Sequence, residues 1–134
     1  MGLYTGKQLD RIAYPLGGIG TGMLCLQGTG NIGNVSLYHH PDYRNIPLTF
    51  SAITIKGEHG SSRVVEAPVP ESNAFAVWDN ACLGMEVGWC SYGLPRFASG
   101  EFEDHFPFAK LKLQDPTFPV KAQVVGWSPF IPRR

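Results

Sequence analysis

An all-β fold, an antiparallel β-sandwich, is what this sequence predicts, and three observations carry the prediction. Sixteen glycines and eleven prolines are spread along 134 residues, so nearly every run long enough for a helix is interrupted. Short stretches alternate apolar and polar residues, the period of a strand with one covered face. No segment shows the apolar spacing of an amphipathic helix. At this length one compact unit can bury a core without crosslinks.

The elements follow in chain order. "MLCLQ" is the first strand signal, and after it Val35 and Leu37 of "NVSLYHHPDY" alternate like a second strand, with Pro41 stopping any helix there. "LTFSAITIK" and "AFAVW" are rich in β-branched and aromatic residues and are bounded by Pro47, Gly57 and Asp79. Between them "EHGSSRVVEAPVPESN" is the most polar and proline-marked stretch and is expected to be a surface loop. In "LGMEVGWC", Leu83, Met85, Val87 and Trp89 point one way and Gly84, Glu86, Gly88 and Cys90 the other. "FAKLKLQD" sets Phe108, Leu111 and Leu113 against Lys110 and Lys112 before a turn at Asp115-Pro116, and "VKAQVVGW" sets Val120, Ala122 and Val124 against Lys121 and Gln123. Short strands at such intervals, without helices between them, are those of a sandwich.

Charge and cysteine content exclude several function classes. Eleven basic and eleven acidic residues balance to zero, so the chain lacks the basic stripe that neutralises phosphates and nucleic acid is not an expected partner. The 16% charged fraction is low, which fits a surface partly covered by another domain. Cys25, Cys82 and Cys90 are odd in number, lack C-x-x-C spacing and sit in apolar runs, as buried reduced thiols do. "MGLYTGKQLDRIAYPL" has no apolar core of a signal peptide and no segment has transmembrane length, so a cytoplasmic location is expected.

The glycine-rich stretch "PLGGIGTGMLCLQGTGNIGN" contains a literal G-x-G-x-x-G from Gly28 to Gly33. A dinucleotide fingerprint needs a helix starting at its last glycine and an acidic residue about twenty positions on. Here a strand pattern follows, no helix N-terminus is available for a pyrophosphate, and past Asp42 the next acidic residue is Glu58. In the earlier run "GGIGTG", Gly18 and Gly20 fit but Met23 stands where the third glycine belongs. Tight turns between strands explain the glycines better.

Other candidate sites fare no better. Glu101 and Glu103 of "EFEDHF" share one strand face about 7 Å apart, near the separation of a glycosidase carboxylate pair. Phe102 and Phe106 flank them as expected core residues, and a solvated edge is the simpler account. His39, His40 and Asp42 suggest a metal site, but adjacent strand residues point to opposite faces, and a polar loop serves better. Trp78, Trp89 and Trp127 suit sugar stacking or, more simply, a core. No Ser-His-Asp or Cys-His constellation follows from spacing. The sequence therefore assigns no catalytic, cofactor-binding or metal-binding residue to this chain.

In order along the chain, "RIAYPLGGIGTGMLCLQGTGNIGN", "YGLPRFASGEFEDHFPFAKLKLQDPTFPV" and "GWSPFIP" resemble the N-terminal β-sandwich domain of the non-lysosomal glucosylceramidase (bile-acid β-glucosidase) family, glycoside hydrolase family 116. The most specific pieces are "PLGGIGTG", "GLPRF", "FPFA", Asp115-Pro116 and "SPFIP", and their collinearity carries the resemblance. It implies a supersandwich-like domain packed against a C-terminal (α/α) barrel that holds both carboxylates of a retaining hydrolase, one attacking the anomeric carbon and the other protonating the leaving oxygen. None of the acidic residues here falls in a motif matching either role. "VSLYHHPD" departs from the tryptophan-containing "WEIFN"-like segment of the family.

Residues 1–134 are accordingly expected to form the first part of the N-terminal domain, with the barrel downstream and the glucoside or glycolipid substrate met by the full enzyme. An incomplete sandwich would expose strand edges and self-associate. The alternative is a stand-alone carbohydrate- or protein-binding β-sandwich module without catalysis.

Overall fold

The computed structural model describes residues 2–18, 20, 22–42, 47, 49–57, 60–69 and 93–129. The expected strands in "AFAVW" and "LGMEVGWC", with Trp78, Trp89, Cys82 and Cys90, lie outside the described residues, as do Phe130 and Ile131.

The described chain is antiparallel β-structure with a single short 3-10 helix. Its strands are β1 (Gly2–Thr5), β2 (Ala13–Leu16), β3 (Met23–Gln27), β4 (Ile32–Ser36), β5 (Ala52–Ile55), β6 (Ser61–Val64), β7 (Ser99–His105), β8 (Phe108–Gln114) and β9 (Ala122–Trp127). They form a four-stranded sheet ordered β1-β7-β8-β9, a three-stranded sheet ordered β2-β3-β4 and the pair β5-β6. Pro15 lies in β2, an edge strand, where a missing amide hydrogen leaves no ladder bond unmade within the sheet. The 3-10 helix, Gly6–Arg11, follows β1 directly. The Thr5 amide donates to Gln8 Oε1 at 3.0 Å, and Leu9 is buried.

One core lies where the two larger sheets meet. Ala109, Leu111 and Leu113 of β8 and Phe102 of β7 are buried together with Tyr14 of β2 and Leu26 of β3. The rings of Tyr14 and Phe102 tilt at 51° with centroids 6.5 Å apart. On β9, a Cβ added to Gly126 would stand 2.9 Å from Leu26 Cδ2, so glycine lets the two sheets approach there. At the far edge of the cluster, Phe97 meets Phe118 edge to face at 5.5 Å.

The β8 alternation holds with its parity shifted. Ala109, Leu111 and Leu113 face inward, and Phe108 faces out with Lys110 and Lys112, because residues an even number apart share a strand face. Phe106, expected in the core, is exposed beside Pro107 in the turn between β7 and β8. Val120 is exposed because β9 begins only at Ala122.

The polar stretch 58–73 holds a larger correction. Its described part contains β6, and Val64, Glu66 and Ala67 are buried. The segment enters the core because its backbone is paired: the Val64 amide donates to the Pro95 carbonyl at 2.8 Å and the Ala67 amide to the Thr29 carbonyl at 2.8 Å. Among the described residues no helix is long and apolar enough to cross a membrane.

Candidate functional site

Gly28 opens the turn that links β3 to β4, and β4 starts at Ile32, with Gly33 inside it, where a phosphate loop would need a helix. Its backbone is already committed. The Gly28 amide donates to the Ile12 carbonyl at 3.1 Å, and the Gly30 amide to the Gln27 carbonyl at 2.9 Å. A Cβ on Gly28 would lie 2.9 Å from Leu9 Cα, so this position is glycine because the 3-10 helix passes against it.

Side chains of the same hairpin form a polar chain. Thr29 Oγ1 donates to Asn31 Oδ1, Asn31 Nδ2 to Gln27 Oε1 at 3.3 Å, and Gln27 Nε2 to Asn34 Oδ1 at 3.1 Å. Thr29 and Asn31 are buried. Amides and hydroxyls that could have met a ligand are instead spent on holding the turn.

The carboxylates are likewise engaged. Glu101 and Glu103 do share one face of β7, and Lys112 on β8 reaches both, at 3.2 and 3.3 Å. Hydrogen bonds first to Glu101 and then to Glu103 raise the Lys112 pKa. Two negative charges sharing one ammonium make an ion-pair ladder. Phe102 between them is buried as expected.

Two further ion pairs escaped the sequence reading. Glu66 meets Arg96 at 3.1 Å with both side chains largely covered, and burial raises the Glu66 pKa against the lowering effect of Arg96. Val64 and Arg96 form a parallel bridge, so the pair fastens residues 64–66 to 94–97. Arg63 meets Asp115 at 2.7 Å, donates to Thr117 Oγ1 at 2.9 Å and lies 5.2 Å from the centre of the Phe118 ring. Hydrogen bonds from the Thr117 hydroxyl, then from Arg63, then from the Thr117 amide lower the Asp115 pKa to about 2.

The sequence pieces that carry the family resemblance turn out to be joints. "GLPRF" supplies Arg96 to the Glu66 pair and Phe97 to the core. Asp115-Pro116 holds Arg63. Ser128 of "SPFIP" donates from its amide to Pro107 of "FPFA" at 2.9 Å and from its hydroxyl to Gly17 of "PLGG" at 3.4 Å. An arginine set between Pro95 and the apolar Phe97 was the available signal for the first joint.

His39 and His40 follow β4 in a turn closed by the His40 amide on the Leu37 carbonyl at 3.0 Å. They do not lie on a strand, and no group of three or more metal-ligating side chains occurs among the described residues. The turn borders a cleft of about 860 Å³ together with the glycine loop before β3. A second cleft, about 690 Å³, lies between the 3-10 helix and β7, with Lys7, Asp10, Glu101 and Lys112 at its wall. Trp127 is 58% exposed on the outward face of the four-stranded sheet, so it is not a core residue. Cys25 is buried and free among the described residues, and burial raises its pKa.

No curated protein matches the chain. Residues 13–134 match the protein family described as beta-glucosidase 2, glycosyl-hydrolase family 116 N-term. The match takes in every motif that forms a joint, from "PLGG" to "SPFIP", and on that span the chain belongs to the N-terminal domain family of glycosyl-hydrolase family 116.

Proposed function

We propose that this chain is the non-catalytic scaffold of a retaining β-glucosidase or glucosylceramidase-like hydrolase, packing against and bordering a C-terminal (α/α) barrel that carries both catalytic carboxylates. The observation that carries this reading is where four of the seven described acidic side chains go. Glu66, Glu101, Glu103 and Asp115 are each held by a cation of the same domain. Retaining hydrolysis needs two carboxyl groups about 5–5.5 Å apart and facing a sugar, one of them kept protonated to serve as acid.

An apolar face supports the partner. Leu3 of β1, Val125 and Trp127 of β9 and Phe108 of β8 are exposed, and all project from the outward side of the four-stranded sheet, with Phe106 at its end. Phe108, Val125 and Trp127 adjoin one another there, while Glu103 and Lys110 separate them from Leu3. An exposed apolar cluster of this kind marks an interaction site, and the barrel of the same enzyme is the occupant that the family suggests.

The test is reconstitution. The chain is mixed with a separately produced family 116 barrel domain, and both association and hydrolysis of an aryl β-glucoside are measured. The chain alone is expected to be inactive, to bind the barrel and to raise its activity, with Trp127→Asp weakening the association. Hydrolysis by the isolated chain would overturn the scaffold reading, as would a barrel indifferent to its presence.

A further inference from the structure

The cleft beside the glycine loop has a wall that the fold does not need. Tyr38 and His39 occupy the two central positions of the turn after β4 with φ of 54° and 61°, in the left-handed region. A turn with positive φ at both central positions favours asparagine, aspartate and glycine, and larger side chains pay for it in backbone strain. Tyr38 is 89% exposed, so core packing gives no return for that strain.

The opposite wall is drawn close on purpose. Gly22 has φ of 85°, and a Cβ there would lie 2.7 Å from the Ser36 carbonyl oxygen and 2.8 Å from Leu37 Cδ2. Only glycine lets the loop reach the end of β4 and shape the cleft. The far side of the turn is tied by the Asp42 amide to Ser36 Oγ at 2.7 Å.

The lining defines the ligand. Gly22 and Met23 face Leu37, Tyr38, His39 and His40 across about 860 Å³, a volume within the range of small-molecule sites, roughly 300–1,000 Å³. Among the described residues of the lining, none is Lys, Arg, Asp or Glu. An aromatic face, apolar side chains and two imidazoles able to donate and accept hydrogen bonds suit a neutral ligand with an apolar face and a rim of hydroxyls. A hexopyranose has that chemistry.

We propose that this cleft is a sugar subsite, in which the Tyr38 ring stacks on a pyranose and His39 and His40 bond its hydroxyls. The choice of a sugar rests on the glycoside-hydrolase reading, and the subsite holds a part of the glycoside away from the bond that the barrel would cleave.

The test follows the ring signals of Tyr38, His39 and His40 by NMR while methyl β-glucoside or cellobiose is titrated into the 134-residue chain. Saturable shifts of these signals are expected. Tyr38→Ala should weaken binding about tenfold or more while Tyr38→Phe and Trp127→Ala leave it intact. The Tyr38 side chain is exposed, so unchanged melting of Tyr38→Ala separates lost binding from lost fold. Absence of saturable shifts, or equal affinity in Tyr38→Ala, would overturn the subsite. Shifts caused by the barrel domain and not by sugar would overturn it too, assigning the cleft to domain docking. Reconstitution with the barrel does not depend on Tyr38 stacking a sugar, so the scaffold reading survives or fails on its own measurement.

Discussion

The β7–β8 hairpin and the β3–β4 hairpin are both antiparallel pairs, but the first is fastened by the faces of its strands and the second by what fills its turn. β7 and β8 pair in unbroken register from Ser99↔Gln114 to His105↔Phe108. Phe102 and Leu111 face each other on the buried side, while Glu101 and Glu103 share Lys112 on the other. In β3–β4 the register shifts between Met23 and Cys25, and the turn is packed with Thr29, Asn31 and the Gln27 amide. A hairpin of the first kind depends on volume and a hairpin of the second on exact partners, so they should fail to different substitutions.

Phe102→Ala is expected to have the largest effect, about 3–5 kcal/mol of unfolding free energy, since it empties a side chain that is fully buried between the sheets. Denaturant titration reads it directly. Gly28→Ala should follow at about 1–3 kcal/mol, because the new methyl meets the 3-10 helix backbone at Leu9. As a control, truncation of an exposed β8 side chain, Lys110→Ala, should be nearly silent in the same titration. If Gly28→Ala were silent too, the close approach of the helix to the turn would be wrong.

Asn31→Ala tests the polar filling. It leaves Thr29 Oγ1 and Gln27 Oε1 without the partner each has now, at an expected cost of about 1–3 kcal/mol. Asn31→Asp keeps the acceptor for Thr29 while removing the donor to Gln27, so a smaller loss in that variant would assign the energy to the Thr29 bond.

Much of this contrast was legible beforehand. Strand β8 reads plainly because its two faces differ in kind, although Phe108 misled by being apolar on the lysine face. The glycines of Gly28 to Gly33 announced a turn, since they only have to permit a backbone path. That Gln27, Thr29, Asn31 and Asn34 answer one another was not legible, because pairing of side-chain amides depends on distances that spacing does not fix. β6 resembles a surface loop in sequence for a related reason. Its Arg63 looks solvent-bound until Asp115, 52 positions away, is seen beside it. The tyrosine and histidines of the β4 turn appeared as a loop, and their left-handed backbone has no signature in residues other than glycine and asparagine.

The smallest effect is one of pH. Asp115 has its folded pKa lowered from 3.8 to about 2 by Thr117 and Arg63, so the folded state binds its proton less readily than the unfolded chain does. The contribution is fully present above pH 3.8 and is lost as pH falls toward about 2. Stability measured by denaturant across that window should therefore decline in the parent chain and decline less in Asp115→Asn. An identical acid slope in both would remove Asp115 from the joint between β6 and the turn after β8.

The pairing of β1 with β7 sets Gly2 opposite Asp104, and that single register governs the order in which the chain can be assembled. As the ribosome releases the protein, β1 emerges long before β7, the strand it pairs with among the described residues. It must wait, both edges open, while the central hairpin forms from neighbours close in sequence. Local pairings such as β7 with β8 close small loops and are expected to form early, whereas the return of β1 to β7 closes a much longer loop and is expected to form later. Until that closure β1 stays unpaired, the period in which it is most open to pairing with a neighbouring molecule instead of with β7.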